Sequence, residues 1–211
     1  MDILSFDRLP STQLYLIEKI KSRTIEPPIA ILAKEQSSGV GSRDNSWEGG
    51  SGNLFFSVAI PLDLLPKDLA LNSASIYFSF IMKKILEEYV EDIWLKWPND
   101  LYYKNSKVGG TITKKINNIL ICGMGINLQK NNNSFESLDI GIKPITLLKK
   151  YLFELEKYPS WKQIFIAYKI EFERSRDYFS HINSKYKSLK TATLSEDGSL
   201  ILDNKRVYSI R

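Results

Sequence analysis

Apolar positions recur at helical spacing in four stretches of the chain and alternate, or run unbroken at strand length, between them. Leu14, Leu16, Ile17 and Ile20 follow Ser11 and Thr12, whose short side-chain oxygens can accept from the orphan N–H groups of a first helical turn. An apolar run over 29–34 predicts a strand, and the polar, glycine-bearing stretch 35–47 after it predicts a long loop. Loops of that length inside a compact domain tend to be functional. A buried strand is expected over 53–60 and a helix over 72–89, with Pro61 and Pro66 punctuating the connection. Residues 93–127 read as an antiparallel meander: strands 93–96, 101–103, 108–113 and 119–127, separated by turns at Pro98-Asn99, Asn105-Ser106 and Asn117-Asn118. Helices over 145–157 and 161–179 follow, the second capped by Ser160 after Pro159. Three short strands, 186–193, 199–202 and 206–210, close the chain. The pattern divides it into a main domain, 1–183, and a small β appendage, 184–211, too small to be stable without packing on the main body.

Composition narrows the chemistry. The 211 residues are 43% hydrophobic and 25% charged, as in ordinary globular proteins. No apolar run approaches the ~20 residues of a bilayer span, and the first nine residues lack a basic start and apolar core, so a cytoplasmic location without membrane contact is expected. Cys122 is the only cysteine and His181 the only histidine, which removes internal disulfides, histidine metal clusters and most nucleophilic triads. No protein side chains are expected to ligate a metal directly. The net charge of +5 favours anionic partners. Lysines and arginines are spread rather than clustered, which weakens a basic nucleic-acid-binding module as an alternative.

Chemistry must therefore use Lys, Arg, Asp, Asn and backbone groups. Gly39-Val40-Gly41 lets a backbone approach a ligand closely, and its N–H groups with Arg43 suit a phosphate or carboxylate, although spacing alone equally allows a plain surface loop. Lys96-Trp97-Pro98-Asn99-Asp100 projects Lys96, Asn99 and Asp100 from a turn after a strand; a self-capped turn is the alternative. Lys107-Val108-Gly109-Gly110 and Gly123-Met124-Gly125-Ile126-Asn127 thin two adjacent strands with glycine, which would open a slot on one sheet face, or mark a bulge beside a solvated lysine.

In order and spacing, from about residue 8 to residue 128, these motifs together with Ser11-Thr12-Gln13, Gln36 and Trp47 resemble those of biotin protein ligases. The short form without an N-terminal DNA-binding domain is the one resembled. The resemblance implies an α+β fold, a mixed β-sheet flanked by helices like that of class II aminoacyl-tRNA synthetases, with a shortened SH3-like C-terminal appendage. It implies activation of biotin by Mg2+-ATP to biotinyl-5'-AMP and transfer to a lysine of a biotin carboxyl carrier protein, with no DNA partner and the possibility of a homodimer left open. Ser11, Thr12, Gln13, Gln36, Gly39, Val40, Gly41, Ser42, Lys107, Gly109 and Gly110 would contact biotin. Arg43, Trp47, Lys96, Asn99, Asp100 and Asn127 would contact the nucleotide. Lys107 and Arg43 would be catalytic, Lys107 bridging the biotin carboxyl and phosphate oxygens. One departure stands out: the family's usual Gly-Arg-Gly-Arg is here Gly39-Val40-Gly41-Ser42, leaving Arg43 to meet the anion alone. A lipoate or octanoate ligase shares this fold and chemistry, but the polar Ser-Thr-Gln and Gln36 suit a ureido head better than a plain acyl chain.

Overall fold

The computed structural model describes residues 1–41, 46–130, 136–182 and 185–208, with 46–49 described by their backbone alone. A mixed sheet organises the chain. Its strands are β1 (Asp2–Leu9), β2 (Ile29–Val40), β4 (Leu54–Pro61), β8 (Ile119–Ile126), β7 (Ser106–Ile116), β6 (Asp100–Tyr103) and β5 (Ile93–Lys96), in that spatial order, with β3 (Ser46–Gly49) pairing with β2. β1 lies parallel to β2, and the other neighbours are antiparallel.

Alternation along the strands assigns two faces. On one, Ala30, Leu32, Leu54, Phe56, Val58, Cys122, Met124 and Ile126 pack under α2 (Ala74–Leu86), α3 (Pro144–Leu155) and α4 (Trp161–Ser175). On the other, Ile29, Ile31, Ala33, Ala59 and Ile121 meet Leu16 and Ile20 of a single helix, α1 (Thr12–Lys21). Three helices blanket one face, while α1 covers only part of the other.

The meander and the four helices fall where the apolar periodicity puts them, with differences at the ends. β1 carries no clear alternation and was not anticipated. The stretch expected as a loop from residue 35 continues β2 as far as Val40, because β3 returns beside it and satisfies its backbone, with a register shift between Gln36 and Gly39. Helix α4 stops at Ser175 rather than 179, since Phe179–Ile182 (β9) pairs with Lys185–Ser188 (β10) as a hairpin. The expected division at 183/184 lies outside the described residues, between these two paired strands. The last strands, β11 (Thr193–Leu194), β12 (Leu200–Leu202) and β13 (Lys205–Val207), form a three-stranded sheet whose Leu200 and Leu202 join the main core. Among the described residues no helix is long and apolar enough to cross a membrane.

Candidate active site

On the α1 side of the sheet, beyond the apolar patch of Ile29, Ile31 and Ile121 that α1 covers, several central positions carry small residues. Ser57 of β4, Gly123 and Gly125 of β8 and Gly110 of β7 are cross-strand neighbours there, with Ser57 opposite Gly123 and Gly110 opposite Gly125. The result is a small pocket, part of it open to solvent. Its walls include Ser11, Thr12, Gln13, Gln36, Val40, Gly41, Asn99, Lys107, Gly110 and Ile112.

One end of the pocket is wired before any ligand enters. Ser11 Oγ accepts from Leu14 N–H at 3.4 Å and starts α1, which fixes Thr12 and Gln13 in the first turn. Ser57 Oγ donates to Thr12 Oγ1 at 2.9 Å, and Thr12 Oγ1 donates on to Gln36 Oε1 at 3.1 Å. Gln36 Oε1 also accepts the Thr12 backbone N–H at 2.8 Å, which leaves the amide nitrogen as the group Gln36 can offer a ligand. Gln13 is buried with no partner for its Oε1. A methyl group on Gly123 would stand 2.5 Å from that oxygen and 3.1 Å from Ser57 Oγ, so glycine here keeps the space beside it. An unpaired buried acceptor costs about 1–3 kcal/mol unless a ligand donor meets it.

The other end is charged. Lys107 Nζ lies 2.6 Å from Asp100 Oδ1, and both side chains are partly exposed, so solvent screens the pair and Lys107 can exchange partners at little cost. Asn99 is buried; its Nδ2 donates to the Thr111 carbonyl at 2.6 Å, and its own carbonyl accepts from Thr111 N–H at 3.0 Å, which ties the turn to β7. Lys96 is buried, with Nζ donating to Tyr102 Oη at 3.2 Å and lying over the Tyr102 ring. Burial pushes its ammonium below the usual lysine value; Asp100 opposes the shift and Lys107 adds to it. Trp97, wholly buried, lies between these residues with its indole N–H donated to the Gly198 carbonyl at 2.9 Å.

The sequence-derived residues thus divide. Ser11, Thr12, Gln13, Gln36, Val40, Gly41, Asn99, Lys107 and Gly110 line one pocket, and Asp100 adjoins it through Lys107. Gly109 does not line it: a methyl there would stand 2.8 Å from the Gly125 carbonyl, so this glycine serves close packing between strands. Gly39 is buried in β2 opposite Trp47. Asn127 donates to the Glu136 carbonyl at 3.1 Å, outside the pocket wall. Ser42 and Arg43 lie outside the described residues, as does the Trp47 side chain. Ser57 was missed, although a lone serine in the apolar run Leu54–Pro61 is a signal that a central strand faces something polar. No cluster of three or more His, Cys, Asp or Glu side chains suited to a metal occurs among the described residues.

Residues 5–131 match the model of the biotin/lipoate A/B protein ligase family. The bifunctional ligase/repressor BirA of Escherichia coli strain K12 is 28% identical over 127 residues, 57% of this chain and 38% of that protein. The chain thus covers well under half the length of this curated relative. The crystal structure of biotin acetyl coenzyme A carboxylase synthetase from Helicobacter pylori with bound biotinylated ATP superposes with a TM-score of 0.93 at 38% identity, covering 98% of this chain and 99% of that one. Biotin protein ligase from Aquifex aeolicus in complex with biotin and ATP shares the fold with a TM-score of 0.80 at 21% identity, over 98% and 94% of the two chains.

Proposed function

Because the chain belongs to the biotin/lipoate A/B protein ligase family, we propose that it activates biotin with ATP and transfers it to a lysine of an acceptor protein. The polarity of the pocket carries this proposal. A buried acceptor without a partner, Gln13 Oε1, stands beside the Ser57–Thr12–Gln36 chain at one end, and an exchangeable cation, Lys107, stands at the other. A ureido group offers the N–H donors and carbonyl acceptor that the first end can pair, and a valerate carboxylate suits the second. The dithiolane of lipoate or the methyl terminus of octanoate offers no N–H donor and would leave the polar end unmatched, at the cost of a desolvated acceptor.

In the first step the biotin carboxylate attacks the α-phosphate of ATP and pyrophosphate departs. Two anions must meet, and at an effective dielectric of ~20 two unit charges ~4 Å apart repel by about 4 kcal/mol. Lys107 relieves that repulsion by leaving Asp100 and lying between the carboxylate and phosphate oxygens. Lys96 and Asn99 border the nucleotide side, and Arg43 supplies the further anion contact. Magnesium would come with the triphosphate and offset charge on the leaving pyrophosphate, and Asp100 is the carboxylate of this turn that would face it. In the second step the acceptor lysine attacks the acyl carbon and AMP leaves. The acceptor is a carrier domain of biotin-dependent carboxylation, and the protein works in the cytoplasm.

Incubation with labelled biotin, Mg2+-ATP and a biotin carboxyl carrier domain, with lipoate in parallel, tests reaction and specificity together. Label on the carrier lysine that depends on ATP and resists lipoate competition is the expected result. Preferential lipoylation would shift the substrate to the other branch of the family.

A further inference from the structure

Among the described residues β5 is the last strand of the sheet, so one edge of its backbone has no described strand beside it. In the β5–β6 register Trp94 faces Tyr102 and Lys96 faces Asp100, which leaves the N–H groups of Leu95 and Trp97 pointing away from β6. Neither is left bare. The Leu95 N–H donates to Glu171 Oε1, and the Trp97 N–H donates to Ser175 Oγ at 3.1 Å. Glu171 and Ser175 are four residues apart on α4, so they occupy one face of that helix one turn apart, matching the spacing of alternate N–H groups along the strand. Two side chains of a helix thereby take the place of a neighbouring strand.

Glu171 is almost fully enclosed, and burial pushes its carboxyl above the usual glutamate value. Lys83 of α2, equally enclosed, forms an ion pair with it and also meets Glu87 at 2.6 Å. Arg174 of the same helix lies over the Trp94 ring, which seats the end of α4 along β5. Directly after this clamped stretch come Asn99 and Asp100, and Lys96 lies within it.

We propose that Glu171 and Ser175 are positioning residues for the nucleotide side of the active site, holding the Lys96–Asp100 turn at its working height through the Leu95 and Trp97 amides. The proposal rests on the ligase reading for its activity readout. Neither side chain touches the pocket, and the opposite end, built from α1, β2 and β4, hangs on different hydrogen bonds. Loosening the clamp should therefore act on ATP and spare biotin.

The test uses Ser175→Ala, Glu171→Leu and Glu171→Gln in the full chain, with KM measured separately for ATP and biotin and with hydrogen exchange at the Leu95 and Trp97 amides. Ser175→Ala is expected to raise KM for ATP about tenfold, the scale of one lost buried hydrogen bond, with KM for biotin within about twofold. Glu171→Leu is expected to do the same or more, and Glu171→Gln, which keeps an acceptor for the Leu95 N–H, to recover most of the loss. Equal changes in both KM values, no change in either, or a Gln variant as poor as the Leu variant would overturn the proposal. Exchange separates this from the function itself. If the wild-type chain shows no activity on biotin and ATP, faster exchange confined to Leu95 in the Leu variant and to Trp97 in the Ala variant still upholds the clamp, and unchanged exchange refutes it.

Discussion

The two faces of the central sheet are built by the same strands and differ in what alternate residues carry. Toward α2–α4 stand Phe56, Val58, Cys122 and Met124; toward α1 stand Ser57, Gly123 and Gly125. The first face is sealed by three helices and its side chains interlock. The second is half covered by one helix and gives up side-chain volume beyond it, leaving a pocket edged with polar groups. A strand with period 2 can serve stability and recognition at once, because its odd and even positions answer to separate demands.

Mutation of each face should break a different property. On the sealed face, Phe56→Ala removes a fully buried ring that packs 5.1 Å from the ring of Tyr151, and is expected to cost about 3–5 kcal/mol in urea unfolding while KM for biotin in the folded molecules stays put. A large shift in that KM would mean that the faces are coupled. On the open face, Lys107→Ala should keep its folding, since Lys107 and its partner Asp100 are both partly exposed, yet lose adenylate formation by at least ~10²-fold. Near-normal pyrophosphate release from that variant would remove Lys107 from the reaction. Gly123→Ala puts a methyl against the amide end of Gln13, which can swing away without unfolding the protein. KM for biotin should rise about tenfold, the loss of roughly one hydrogen bond, with thermal stability little changed; a fall in stability with KM intact would reassign this glycine to packing. The smallest effect concerns pH. Burial lowers the Lys96 ammonium from the ordinary lysine value of 10.5, so as pH rises its charge is lost earlier than that of a free lysine. KM for ATP should climb a few-fold as that charge is lost and stay flat in Lys96→Arg; the same climb in the arginine variant would trace it to another group.

Much of this was legible in the chain because it is local. The four helices and the meander follow from apolar spacing, and the slot follows from glycines on neighbouring strands. What escaped depends on partners far away in sequence. β1 and the end of β2 have little apolar pattern and are strands because β2 and β3 come to pair with them. Gly109 and Gly110 look equivalent in sequence, yet the pleat sends one against the Gly125 carbonyl and the other to the pocket. Asn127 lies in a motif but bonds the backbone at Glu136. The clamp of Glu171 and Ser175 could not be read from α4 alone, where both residues look like ordinary helix positions. Only the unpaired edge of β5 gives them a task.

The bond from the Trp97 indole to the Gly198 carbonyl bridges 101 positions of the chain. As the chain emerges from a ribosome, the turn that carries Lys96, Asn99 and Asp100 is made long before the residue that completes its support. Until Gly198 arrives, the indole N–H lacks the carbonyl it bonds in the folded chain, and the turn lacks one of its fixings. Assembly of this turn is thereby tied to a residue made 101 positions later, so a chain cut short before Gly198 holds Lys96, Asn99 and Asp100 without that fixing.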